Sequence, residues 1–197
     1  MVSDREPIVH SEQELYPTIR GVGTVVLNSR NQVLVGTELQ DKDSNHRKKG
    51  QMSIPMETLK GIERNSEISL VRVALSEILG DSNMKRLSDG LREVGHGGPI
   101  ALDAEGTQGA VVVFRWAEDP DEMPFVSAVP GEFSDLHWID LDELRYAPNT
   151  RPYVHPFLDF AEGAGMLNGM PTSEISALRG HNPNSYLRFR DLYSDVR

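Results

Sequence analysis

Three acidic side chains share one face of the segment from Glu67 to Asp81, and their spacing is the chain's clearest hint of chemistry. At about 100° per residue, Glu67, Glu77 and Asp81 align with Leu70 and Ala74. Beside them runs an apolar stripe of Ile68, Val71, Leu75, Ile78 and Leu79. Carboxylates gathered this way suit a hard divalent cation such as magnesium or manganese, which prefers oxygen ligands. Glu67, Glu77 and Asp81 are therefore the set that such an ion would meet on this face. Glu57 and Glu63 precede this segment, and Glu132 or Asp135 follows it at a distance. Either group can extend the acidic set, Glu132 or Asp135 as a base. The alternative for Glu77 is an ordinary solvated helix glutamate near Arg72 and Lys85.

A second cluster is basic. His46-Arg47-Lys48-Lys49 lies just before the acidic segment, a basic run able to attract phosphate. Solvated loop charge is the competing reading. Other chemistries are excluded. The chain has no cysteine, which removes disulfides, thiolate zinc sites and a cysteine nucleophile. Its six histidines show no metal-binding spacing, and no G-x-x-x-x-G-K-[ST] loop is present. Gly95-His96-Gly97-Gly98 has no G-x-S-x-G partner and reads as a turn. A net charge of −10 argues against general nucleic-acid binding, which needs a basic surface to release counterions.

These residues must be positioned by a fold of one domain's size, since the chain has 197 residues. Ile19 to Leu27, rich in β-branched residues, reads as a strand, Asn28 to Asn31 as a turn and Gln32 to Thr37 as a second strand. From Ser53 the chain reads as a turn and a polar loop. Glu67 to Leu79 is a helix, with Ser66 as N-cap and Gly80 as its stop. Leu91 to Val94 reads as a short strand before the glycine turn. Ala110 to Trp116 and Leu136 to Ile139 are further strands, Asp140 to Leu144 begins a short helix, and Pro156 to Gly163 is another helix. Mixed strands with few helices give an α+β or α/β class. The expected domain covers residues 19–162, between an N-terminal extension (1–18) and a linker with an amphipathic tail (163–197). The tail docks on its own domain or on a partner. The N-terminus has no signal-peptide core, and no apolar run reaches membrane-spanning length, so a cytoplasmic protein without membrane contact is expected.

The order of elements resembles that of the Nudix hydrolases over roughly residues 19–160. The match includes the strand–turn–strand GVGTVVLNSRNQVLVGT and Ser53-Ile54-Pro55-Met56-Glu57, where the family has an apolar residue, proline and two glycines. It also includes Gly61, five residues and Glu67, then V-A-L-S-E-I-L-G from Val73 to Gly80, and Trp138-Ile139-Asp140-Leu141-Asp142-Glu143-Leu144. The resemblance implies a mixed β-sheet sandwiched by helices, with magnesium or manganese held by helix glutamates against a diphosphate. What it implies for the site is Glu67, Glu77 and Asp81 as candidate metal ligands, Glu67 and Glu77 as the candidate catalytic pair, and Arg47, Lys48, Glu57 and Glu132 at the border of the ligand cleft. Aligned on Gly80, only Glu77 remains of three helix glutamates, with Ala74 and Ile78 at the other two positions. The box is thus degenerate, and three functions stay open. One is a domain that binds a nucleoside-diphosphate-linked or similar phosphorylated small molecule, with hydrolysis weak or lost and no cofactor. A second is an active magnesium-dependent pyrophosphohydrolase with relocated carboxylates. The third is a protein-interaction module without a small ligand. The expected partners are a phosphorylated small molecule and, in a homodimer, a second copy of the chain.

Overall fold

A computed structural model describes residues 18–42, 47–60, 70–79, 90–121, 125, 131–134 and 136–168. Seven strands form one mixed sheet: β1 (Ile19–Leu27), β2 (Gln32–Thr37), β3 (Met52–Ser53), β4 (Met56–Thr58), β5 (Leu91–Ala101), β6 (Gln108–Trp116) and β7 (His137–Asp140). The helical residues 70–79 form α1, followed by α2 (Leu141–Tyr146) and α3 (Val154–Gly163). Among the described residues, no helix is long and apolar enough to cross a membrane.

β1 is the central strand. One edge runs parallel to β6, with Val22 opposite Ala110 and Val26 opposite Phe114. Its other edge is shared by two antiparallel partners, β2 at Leu27↔Val33 and β4 at Gly21↔Thr58 to Gly23↔Met56. β5 closes the sheet on the far side of β6. β2 carries β7 and, at its end, β3.

Strand alternation splits the core into two layers. Val22, Val26, Ala110, Val112 and Phe114 pack with Leu70, Val71, Ala74, Leu75, Ile78 and Leu79 of α1. Val25, Leu27, Val111 and Val113 face Leu144 of α2 and Val154, Phe157, Leu158 and Ala161 of α3. The expected sheet between helices is therefore present. Burial on both faces explains why β1 and β6 read as nearly unbroken apolar runs. The Thr24 hydroxyl donates to the Ala74 carbonyl at 3.3 Å, tying β1 to α1.

Local chemistry accounts for the boundaries. Asn31 turns the β1–β2 hairpin at φ 61, a conformation asparagine tolerates. The Asn28 Oδ1 accepts from the backbone of Arg30 and Gln32, each at 2.9 Å. α3 closes with Met166 N–H on the Ala161 carbonyl and Gly165 N–H on Glu162, both 2.8 Å, a Schellman ending.

Two expectations are corrected. Leu91 to Val94 is only the start of an eleven-residue strand, and the glycine run read as a turn lies inside it. Gly97 and Gly98 sit there because a side chain would strike Phe160 and the Gly109 carbonyl. The register slips between Glu93 and Gly95 and again between Gly97 and Ile100 absorb the distortion. Likewise Met56–Thr58, read as loop, is a strand that borrows hydrogen-bonding edge from β1. The expected helix is described from residue 70, and its start at Glu67 lies outside the described residues, as do the N-terminal extension up to residue 17 and the tail beyond residue 168.

Phe157 locks α3 to the sheet. A Cβ on Gly23 would lie 2.8 Å from the ring, and one on Gly109 would lie equally close. Phe157→Ala should cost about 3–5 kcal/mol and Gly23→Ala about 1–3 kcal/mol by overpacking. In the double variant the alanine at position 23 should cost little, because the ring it strikes is gone. Urea unfolding of all four proteins measures this coupling, and additive costs would count against it.

Candidate functional site

Four chain segments are zipped together at one end of the sheet by backbone hydrogen bonds. Glu38 N–H, just past β2, donates to the Gln51 carbonyl at 2.8 Å, and Leu39 N–H donates to Glu132 at 2.9 Å. Arg151 N–H donates to Met52 at 2.8 Å, and Lys42 and Arg47 exchange backbone bonds of 2.8 and 3.2 Å. These bonds bring Glu38, Arg47, Glu132 and Arg151 side by side.

Their side chains form a chain of ion pairs. The Arg47 Nη1 lies 3.0 Å from Glu132 Oε2 and 3.4 Å from Glu38 Oε2, while Nη2 donates to Glu132 Oε1 at 3.3 Å. Arg151 Nη1 donates to Glu38 Oε1 at 3.1 Å. Glu38 is fully buried and Arg47 is 6% exposed. Burial pushes the Glu38 carboxyl above the usual range, with Arg151 and Arg47 opposing. Arg47 holds Glu132 below it. Arg151 also sits 5.4 Å from the centre of the Tyr153 ring. The Tyr153 hydroxyl donates to Asp103 Oδ2 at 2.5 Å. That bond, with those from Thr107, lowers Asp103 to about 2.

These groups border a cleft of roughly 500 Å³. Gly21, Met56 and Glu57 of the sheet, Arg20, Lys42, Arg47, Glu132 and Arg151, and the rings of Tyr153 and Phe157 line it. Glu57 stands opposite Val22 in the β1–β4 pair, and Val22 faces α1. The same alternation aims Glu57 at α1, where it meets Glu77. The Glu77 carboxyl is 4% exposed and hydrogen-bonds Glu57.

Of the residues singled out from the sequence, Glu57, Glu77, Glu132 and Arg47 are thus brought together. Lys48 is exposed and lies away from the cleft lining. Glu67 and Asp81 lie outside the described residues, as do Glu63 and Asp135. Two expectations are overturned. Glu77 is not a solvated helix glutamate, because β4 and the sheet cover the face on which it sits. Arg47 is not solvated loop charge, because its loop folds back onto Glu38 and Glu132. Glu38, Arg151, Lys42 and Tyr153 carry no motif. The nearest signal for Glu38 is its place directly after a buried strand.

Glutamates on a box helix imply a divalent ion, and the described donor set does not fit one. Burial, then the charges of Glu57 and Glu132, favour the neutral form of Glu77, which is hydrogen-bonded to Glu57. Glu132 forks onto Arg47, and Ala74 and Ile78 are packed in the core. Among the described residues, no three acidic or histidine side chains are placed to hold a metal ion.

No family sequence profile matches the chain, and no curated protein sequence does either. Solved structures do match. The bifunctional NMN adenylyltransferase/ADP ribose pyrophosphatase from Francisella tularensis superposes with a TM-score of 0.53 at 13% identity, over 77% of this chain and 42% of that one. RenU, a Nudix hydrolase from M. smegmatis, superposes with a TM-score of 0.52 at 15% identity, over 78% of this chain and 90% of that one. The fold is Nudix-like. In this Nudix-like frame the chain spans less than half of the Francisella protein, so the likeness concerns the domain alone.

The buried Glu77 carboxyl makes stability depend on pH. Burial, then the charges of Glu57 and Glu132, push Glu77 from about 4.5 up to about 8. The folded state therefore binds the proton more tightly than the unfolded chain does. Folding loses nothing at this site below about pH 4, loses progressively as pH rises, and bears the full loss above about pH 8. Glu77→Gln keeps a hydrogen-bonding partner for Glu57 and cannot ionise. Between pH 5.5 and 8 its stability should rise relative to wild type by roughly 2–3 kcal/mol, measured by urea unfolding at each pH. Parallel pH profiles for the two proteins would place the titration on another group.

Proposed function

We propose that the cleft binds a nucleoside-diphosphate-linked or similarly phosphorylated small molecule, with hydrolysis weak or lost. The supporting observation is the charge of the lining. Arg20, Lys42, Arg47 and Arg151 line one concavity together with two carboxylates, Glu57 and Glu132, in a chain whose net charge is −10. Guanidinium groups match phosphate oxygens in charge and planar geometry. Concave walls also strengthen the local field. Tyr153 and Phe157 add apolar faces on which a ring can rest. The acidic remainder of the surface repels long polyanions, which favours a small ligand over nucleic acid. The Francisella protein has been solved with AMP and a manganese ion, a ligand of the same chemical class.

Weak hydrolysis follows from the carboxyl groups. Burial favours the neutral form of Glu77 and Glu132 is paired with Arg47, so neither is a free base beside the bound phosphates. A thermal-shift panel of nucleoside diphosphate sugars, with unphosphorylated nucleosides as controls, tests the reading with and without magnesium. At about 100 times Kd, binding stabilises by about 2.7 kcal/mol, which raises the Tm of a domain this size by roughly 5–10 °C. The phosphorylated compounds should produce that rise in EDTA, and the nucleosides should not. A rise seen only with magnesium, accompanied by turnover, would favour the active pyrophosphohydrolase. No response from any phosphorylated compound would favour the interaction module.

A further inference from the structure

Four cationic side chains line the cleft, and three of them are occupied within the protein. The Arg47 guanidinium spans Glu132 and Glu38, and Arg151 holds the other side of Glu38. Lys42, after Arg47, helps to keep Glu132 ionised. Arg47 and Arg151 are also buried. Arg20 differs. It is exposed, and among the described residues its side chain has no hydrogen bond or ion pair. Its place in β1 is irregular as well. Ile19 stands opposite Gln108 and Gly21 opposite Gly109, so Arg20 is an extra residue without a partner on β6. In a regular strand, residues three apart face opposite sides, yet Ile19 and Val22 both pack in the layer of α1. The bulge puts both residues between them, Arg20 and Gly21, at the cleft. The other edge of β1 pins it there. The Leu59 N–H donates to the Arg20 carbonyl at 2.9 Å, and a Cβ on Gly21 would lie 2.8 Å from the Glu57 carbonyl oxygen.

We propose that Arg20 is the cation that receives the ligand's phosphate oxygens, delivered to the cleft by the bulge in β1, whereas Arg47 and Arg151 hold the wall. The inference rests on the binding reading above and names the contact within it. A guanidinium already bonded to carboxylates has fewer donors to offer. Drawing Arg47 or Arg151 toward a ligand would also strip the buried Glu38 of a charge partner. Arg20 carries neither cost. It keeps five N–H donors, in a fork that matches a phosphate group. The extra residue gives up its ladder partner on β6 and adds nothing to either core layer. What it adds to the molecule is a charge at the cleft.

Calorimetry on the full chain with inorganic pyrophosphate and with ADP, each in magnesium and in EDTA, tests this. In every condition where wild type binds, Arg20→Gln should weaken both probes by about tenfold. Its melting temperature should stay within about 1 °C of wild type, since the side chain has no partner to lose. Arg20→Lys keeps the charge without the fork and should weaken binding by about threefold. Arg30→Gln removes one positive charge from the turn after β1, where Arg30 makes an exposed pair with Asp121. It should change affinity by less than about twofold. Equal losses in Arg20→Gln and Arg30→Gln would reduce the effect to net charge and overturn the inference. Unchanged affinity of Arg20→Gln for both probes would overturn it too, while the binding reading stood. A loss confined to ADP would assign Arg20 to the sugar or base and overturn phosphate contact. A wild type that binds neither probe in either condition would overturn the binding reading, and this inference with it.

Discussion

The burial of Glu38 is the constraint on which the functional end of the molecule depends. A carboxylate removed from water is tolerated only when charged partners and hydrogen bonds replace the solvent. Arg151 and Arg47 supply them from segments more than one hundred and about ten residues away. Neither can reach Glu38 unless the chain after β2, the strand β3, the turn before β7 and the entry to α3 lie side by side. Glu38 therefore commits four otherwise irregular segments to one arrangement, and Glu132 is placed by the same zipper. The cleft is a by-product of satisfying that one carboxylate.

The remainder of the fold supplies a rigid floor. The sheet is covered on both faces, by α1 on one side and by α2 and α3 on the other. Strand alternation decides which side chain reaches which layer. Glu57 faces Glu77 because it stands beside Val22, whereas its neighbour Met56 packs into the opposite layer. Phe157 belongs to both the floor of the cleft and the second core layer. Its ring fits because Gly23 and Gly109 leave the space open.

Much of this organisation can be read from the residues. β1, β2 and β6 are apolar, β-branched runs of the right length, and Asn28 to Asn31 is turn chemistry between two of them. The eleven-residue β5 is obscured by its own glycines and proline. They are local breakers, but here they serve a tertiary need, the close approach of Phe160 and of the β6 backbone. Glu57, Glu77, Glu132 and Arg47 can be selected because of their types and their position around the box-like segment. Their state cannot. Whether Glu77 is solvated or buried depends on β4, whose three residues have no strand pattern of their own. Whether Arg47 is loose or buried depends on Glu38 and Glu132, which are distant in sequence. Glu38, Arg151 and Tyr153 illustrate the general limit, because a charge is buried by a partner that its own neighbourhood does not announce.

The parallel pairing of β1 with β6 also governs the order of assembly. The first strand of the sheet spends the synthesis of most of the domain without its main neighbour, since residues near 22 wait for residues near 110. The β1–β2 hairpin forms locally and early. The central contact requires closure of a loop that holds β3, β4, α1 and β5, and loop closure must precede the contacts that reward it. Until then an apolar strand edge is open to pairing with other chains. The nascent protein is accordingly most exposed to aggregation between the appearance of β2 and the completion of β6, and the same topology makes the finished sheet late to form and slow to fold.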